Sequence, residues 1–216
     1  MWRGLLDLLW PSPCPVCDRE SEALVHASCL ASMGIVRRTP GQAQSAAQVH
    51  SRFEDGPGWF RLLHQWKYGG RARLAAIVAM EMARDPIPGI RQAVLVPMPD
   101  DSERQRQRGY SPVGDLAREL AGMSGARLDP RLLRRRRAAR SQTACTNDSE
   151  RARNVDQVFA VGDLARWPVA CELILVDDQV TSGASLRAAA VLLGARGNPV
   201  RAWCAARAAR APLRLS

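Results

Sequence analysis

A chain of 216 residues that is 46% hydrophobic can bury one good core, so one main domain with a small appendage is expected. Its 31 basic and 21 acidic residues give a formal charge of +10, which favours phosphate-bearing partners, either a nucleic acid or a small polyanion. No segment reaches the roughly 18 to 20 apolar residues of a spanning helix, so no transmembrane segment is expected and the chain reads as soluble and cytoplasmic.

The first residues, "MWRGLLDLLWP", are interrupted by Asp7, stopped by Pro11 and followed by no small-residue cleavage site. They predict an amphipathic first helix packed on the body, with a membrane-surface role as the alternative to that packing. Next come Cys14-x2-Cys17 and His26-x2-Cys29, eight residues apart. Two short-spaced pairs of soft and imidazole ligands are what a tetrahedral zinc ion needs, and metal binding suits a reducing compartment better than disulfides. The competing reading is free thiols beside an ordinary surface histidine. With no open coordination position, the zinc would be structural.

Residues 37–58 are polar and rich in small side chains, a linker that leads into a short strand near Val49 to Phe53. Trp59 to Lys67 reads as helical, and "RLAAIVAMEMA" places Leu74, Ile77, Val78 and Met82 on one helix face. Lys67 is the only lysine of the chain, which raises the question of whether its position needs a compact ammonium where a guanidinium fork would not fit. "QAVLVPMP" is a buried strand stopped by Pro97 and Pro99. Ser111 is an expected N-cap with Pro112 at the first helical position.

The basic excess concentrates in "RQRQRG", Arg104 to Gly109, and in "RLLRRRRAAR", Arg131 to Arg140. Each is either a solvated face or an anion-binding surface. A strand "NVDQVFAV" follows, then a strand Leu173 to Val176, a helix with Leu186, Ala190 and Leu193 on one face, and a last strand "PVRAWCAAR". Apolar strands alternating with amphipathic helices predict a parallel sheet covered on both faces.

The stretch "LILVDDQVTSGASL" carries the chemistry. Ligands of parallel α/β sheets bind beyond the carboxyl ends of strands, so Asp177 and Asp178 are expected at the end of their strand, in such a crevice. Backbone N–H groups from Thr181 through Ser182, Gly183 and Ala184 to Ser185 form an anion cradle at a helix N-terminus, with the three hydroxyls as further donors. Two carboxylates would repel the anion itself and must face another part of the ligand. A ribose 5-phosphate offers both halves: a phosphate for the loop and a diol for the aspartates, with Mg²⁺ balancing charge. The chain lacks a G-x-x-x-x-G-K-[ST] loop and a G-x-G-x-x-G signature, which speaks against nucleotide hydrolases and dinucleotide enzymes.

This stretch resembles the phosphoribosyl pyrophosphate (PRPP) signature of type I phosphoribosyltransferases. With Cys14 and Cys17, "WKYGG", "VPMP" followed by "RQRQRGY", "SQT" and "ERARNVDQVF", the chain as a whole resembles the ComF family of competence proteins. The resemblance implies an α/β, type I phosphoribosyltransferase-like parallel sheet with helices on both faces over residues 46–216, after an N-terminal helix and zinc-binding segment over residues 1–45. It also implies that Asp177 and Asp178 take the ribose hydroxyls and Thr181 to Ser185 the 5-phosphate. Pyrophosphate would lie on the loop after "LVPMP", with Arg104, Arg108 and Gly109 as its residues. Gln142, Arg151 and Asn154 match a mobile loop and the strand after it. Where the family has a fourth cysteine this chain has His26, and after Gly109 it has Tyr110, Ser111 and Pro112 in place of an aromatic-Asn-Gln run. Gln179 replaces a common aliphatic residue.

The function implied is PRPP and Mg²⁺ binding, with phosphoribosyl transfer to an unidentified acceptor, associated with DNA uptake in natural transformation. The alternative is a competence factor that binds single-stranded DNA through its arginine runs, with a non-catalytic phosphoribosyltransferase fold. A third reading keeps the fold only as a scaffold for a partner in the uptake machinery, and binds neither ligand. Trp2, Trp10, Trp59 and Trp66 would then serve either as stacking platforms or as core.

Overall fold

The computed structural model describes residues 13–36, 49–136 and 158–208. In chain order these form α1 (Ala27–Ser32), β1 (Val49–Glu54), α2 (Pro57–Tyr68), α3 (Leu74–Ala83), β2 (Val94–Pro97), α4 (Ser102–Arg108), α5 (Pro112–Ser124), β3 (Arg127–Leu128), β4 (Leu133–Arg135), β5 (Phe159–Val161), β6 (Leu173–Val180), α6 (Ala184–Gly194) and β7 (Val200–Arg207). The sheet has five strands in the order β1, β7, β6, β2, β3, all parallel.

The central strands β2 and β6 are apolar without interruption over "VLV" and "LILV" because helices cover both faces. Alternation along β6 sends Ile174 and Val176 to one face, where they join Trp59, Leu62 and Trp66 of α2, Leu74, Val78 and Met82 of α3, and Leu116 and Leu120 of α5. Leu173 and Leu175 face the other way, onto Leu186, Ala189, Ala190 and Leu193 of α6. Trp59 and Trp66 are therefore core residues at 1% and 0% exposure, and neither is a stacking platform. Trp2 and Trp10 lie outside the described residues.

The helix signals act as the sequence predicts. Ser111 caps α5 by accepting from the Gly114 N–H at 3.0 Å, with Pro112 first in the helix. Pro57 likewise opens α2 after Gly56. In the N-terminal segment, Val16, Val25 and Met33 pack into the same cluster as Phe53 and Trp59, and Ile35 bridges to Phe53. No described helix is long and apolar enough to cross a membrane.

Three expectations need correction. The strand expected to stop at Val176 runs to Val180, because β7 keeps pairing with it: Asp177 lies opposite Cys204 and Gln179 opposite Ala206. On the other side, β2 stops opposite Val176 at Pro97, its last bond running from the Met98 N–H to Val176 O, so the two aspartates sit in a strand open along one edge. The expected loop after "LVPMP" is the helix α4, started by the Asp101 carboxylate accepting from the N–H groups of Glu103 and Arg104. Finally, the described part of "NVDQVFAV", Val158 to Val161, forms the strand Phe159–Val161, paired antiparallel with β4 in a two-stranded ribbon apart from the main sheet.

Candidate functional site

A cleft of about 220 Å³ opens where β2 stops and β6 continues, lined by Lys67, Tyr68, Asp100, Asp101, Arg104, Arg108, Arg135, Asp177, Asp178, Gln179 and Ser185 together with the apolar Met98, Val113 and Phe159. Strand periodicity separates the adjacent aspartates. Asp178 follows Val176 onto the α2 face, where its Oδ2 is 2.5 Å from Lys67 Nζ. Asp177 follows Leu175 toward α6, and its Oδ1 accepts from the Asp178 N–H at 2.9 Å.

Burial pushes both carboxyls above their ordinary value. At Asp177 the charge of Asp178 adds to it, while at Asp178 the Lys67 ammonium opposes it. The same burial, beside the same two acids, pushes the Cys204 thiol well up, so it is an inert neighbour on β7.

Arg104 and Arg108 are four residues apart on α4, which puts both on the side that lines the cleft. The Arg108 side chain is only 9% exposed, with Nη1 3.7 Å from Asp100 Oδ1 and a buried Nε that has no partner among the described residues. The Ser111 hydroxyl donates to Asp100 Oδ2 at 2.5 Å while capping α5, so this serine anchors a cleft acid. Gly109 is absent from the lining; it ends α4 at φ 76°, a left-handed conformation that suits glycine.

The segment expected as an anion cradle is a tight turn between β6 and α6. Gly183, buried and at φ 71°, reverses the chain, and Ser182 Oγ accepts weakly from the Ala184 N–H at 3.4 Å. The first amides of α6 have no carbonyl one turn back to bond to. Ser185 lines the cleft, while Thr181 and Ser182 are exposed beside it. Gln142, Arg151 and Asn154 lie outside the described residues.

Several lining residues escaped sequence reasoning. Arg135 belongs to a run read as a single basic patch, yet β4 carries it into the cleft opposite Phe159 of β5. Asp100, Asp101 and Tyr68 were also passed over. The doubled acid directly after Pro99, facing an arginine run, is a signal that could have found the first two.

The second candidate site is the cluster of Cys14, Cys17, His26 and Cys29, whose ligand atoms all lie within 4.8 Å of one another. A turn closed by Asp18 N–H on Cys14 O, with Asp18 at φ 61°, presents the first two thiols. His26 occupies the N-cap position of α1, without a side-chain cap bond, and Cys29 lies within the first turn. His26 Nε2 donates to Glu20 O at 3.0 Å, which leaves Nδ1 facing the sulfurs, 3.3 Å from Cys17 and 4.0 Å from Cys29.

A zinc tetrahedron with ordinary bond lengths separates its ligand atoms by about 3.5 to 3.8 Å, so donor set and spacing fit such an ion. Burial opposes ionisation of Cys14, but backbone hydrogen bonds from His26, Cys17 and Val16 outweigh it and bring the thiol to about 6. Burial and the neighbouring thiols instead hold Cys29 up at about 11.

No family model and no curated protein matches the chain. Among solved structures, it is similar to an allosteric regulatory enzyme of purine biosynthesis, with 16% identity and a TM-score of 0.42 over 62% of this chain and 25% of the other. The chain thus spans a quarter of that enzyme's length. It is similar to an adenine phosphoribosyltransferase at 15% identity and TM-score 0.41, over 68% of this chain and 75% of the other. A hypoxanthine phosphoribosyltransferase from Trypanosoma cruzi shows 14% identity and TM-score 0.37, over 64% and 77%.

Proposed function

We propose that the protein binds PRPP, or ribose 5-phosphate, in the cleft between β2 and β6, and acts as a phosphoribosyltransferase-like protein on an acceptor still to be identified. The observation that carries this reading is the cleft itself. Two aspartates on an open strand edge line it together with Lys67, Arg104, Arg108 and Arg135, with the β6–α6 turn beside them.

In this reading Asp177 and Asp178 accept from the ribose 2- and 3-hydroxyls, and the turn from Thr181 to Ser185 takes the 5-phosphate. Arg104 and Arg108 hold the pyrophosphate, accompanied by Mg²⁺. As pyrophosphate leaves, C1 becomes oxocarbenium-like. Catalysis then consists mainly of fixing the sugar and neutralising the leaving group, which prepositioned arginines do without reorganising. The cysteine and histidine cluster serves as a structural zinc site. The ComF resemblance makes DNA uptake, from the cytoplasmic side, the setting in which this activity is expected.

Calorimetric titration of PRPP with Mg²⁺ tests the reading, repeated with Asp177→Asn. Binding by the wild type that is lost in the variant supports it, and pyrophosphate release then screens acceptors. A wild type that ignores PRPP would sink it.

The single-stranded DNA reading retains the exposed Arg134 and Arg136, on either side of the cleft residue Arg135. Replacing the whole run would disturb both sites. Arg134→Ser with Arg136→Ser is the selective test, and unchanged, salt-insensitive DNA binding would remove that reading.

A further inference from the structure

Acids at the floor of a cleft that receives a polyanion pose an electrostatic problem. Resting on the ribose-phosphate reading, we propose that Lys67 is the positioning residue that fixes Asp178 as an anion aimed into the cleft and, once ligand enters, shares its ammonium between that carboxylate and a ligand phosphate.

The geometry supplies the contact. Lys67 stands in the last turn of α2, on the face of the sheet to which Asp178 alone of the pair points. Its side chain is 22% exposed, against 7% for Asp178, so the ammonium reaches the cleft while the carboxylate is enclosed. Asp100 has Arg108 as its cation. Asp177 is met instead by the backbone N–H of Asp178.

The residue type matters as much as the charge. An ammonium gathers three donors at one rotatable point, so one can stay on Asp178 while the others turn to the ligand. A guanidinium is a rigid planar fork that would engage both carboxylate oxygens and occupy the space the ligand needs. This is the position of the chain's only lysine among 31 basic residues.

Every charged or titratable group facing Asp178 enters the balance: Lys67 from α2, Asp100 and Arg108 from the segment after β2, Asp177 on its own strand and Cys204 on β7. Lys67 is the foremost influence opposing the burial of that carboxylate. Without it, only Arg108, already paired with Asp100, opposes that burial, and Asp178 must take up a proton to accept an incoming phosphate.

The test measures PRPP affinity, with Mg²⁺, near pH 6 and near pH 8 for wild type, Lys67→Met, Lys67→Arg, Asp178→Asn and the double variant Lys67→Met with Asp178→Asn. The ratio of wild-type to Lys67→Met affinity should grow by about tenfold or more between the two pH values, because binding to the variant is linked to proton uptake. Lys67→Arg should weaken binding at both pH values without adding that dependence. The double variant, which buries no lone charge, should fold and show no such growth relative to Asp178→Asn alone.

A Lys67→Met loss of equal size at both pH values would make Lys67 a simple anion contact and overturn the proposal, as would unchanged affinity. A wild type that binds no PRPP would overturn the ribose-phosphate reading as well, so the two failures are distinguishable.

Discussion

The guanidinium of Arg108 lies over the ring of Tyr68, 4.8 Å from its centroid, and so links the C-terminal end of α2 to that of α4 at the cleft. The Tyr110 hydroxyl, which donates to the carbonyl of Trp66, makes a second link between the same two regions. An arginine held this way is oriented before any ligand arrives. Tyr68→Ala should therefore weaken PRPP binding by about two- to fivefold, the equivalent of an exposed cation–π contact of about 0.5 to 1 kcal/mol. Tyr68→Phe, which keeps the ring, should leave the titration unchanged.

Stability and binding should respond in opposite directions at Asp177. Burial, then the neighbouring Asp178, raises its carboxyl, so the folded chain takes up a proton there more readily than the unfolded chain. The ionised form therefore costs stability above the raised value, and the protonated form costs none below the ordinary carboxylate range. Asp177→Asn should melt higher than wild type near pH 8, with the gap closing as pH falls toward 4. Melting curves across that range check this, and a gap that widened on acidification would contradict the assignment.

Metal analysis of the purified chain should find one zinc per molecule, released on chelation. The ligands draw Val16, Val25 and Met33 against Phe53 and Trp59, so metal loss should reach the main core. A fall in melting temperature of about 5 to 10 °C is expected, at about 2 to 4 °C per kcal/mol for a chain of this size. His26→Cys should retain the metal and His26→Ala should lose it.

Ser111 serves two partners, the Gly114 N–H and the Asp100 carboxylate. Ser111→Ala removes the cap of α5 and should cost about 1 kcal/mol in denaturant unfolding. It also frees Asp100 to approach Arg108 more closely, so PRPP affinity should fall as well. Ser111→Asp would restore the cap but place a second charge beside Asp100, and should recover stability only in part.

Local signals were readable because they depend on near neighbours in the chain. Ser111 before Pro112 announces a capped helix, Leu186, Ala190 and Leu193 a buried helical face, and Cys14-x2-Cys17 with His26-x2-Cys29 a compact ligand set, whatever surrounds them. The parallel α/β sheet likewise follows from apolar runs that alternate with amphipathic stretches. The extent of β6 was not readable: two aspartates look like the end of a strand, and only pairing with β7 carries it past them to Val180. Helix α4 was hidden by its arginines, which read as a basic loop until the Asp101 cap is seen.

The sequence by itself determined that this chain is an α/β protein with a Cys3His ligand set and a small-residue turn after a doubled aspartate. The tertiary structure decided that the doubled aspartate is two different groups. Strand alternation turns one carboxylate to each face of the sheet, and the fold then brings Lys67, from a distant helix, within 2.5 Å of only one of them. A Coulombic contact depends on distance in space and on the burial around it, and neither can be read from separation along the chain.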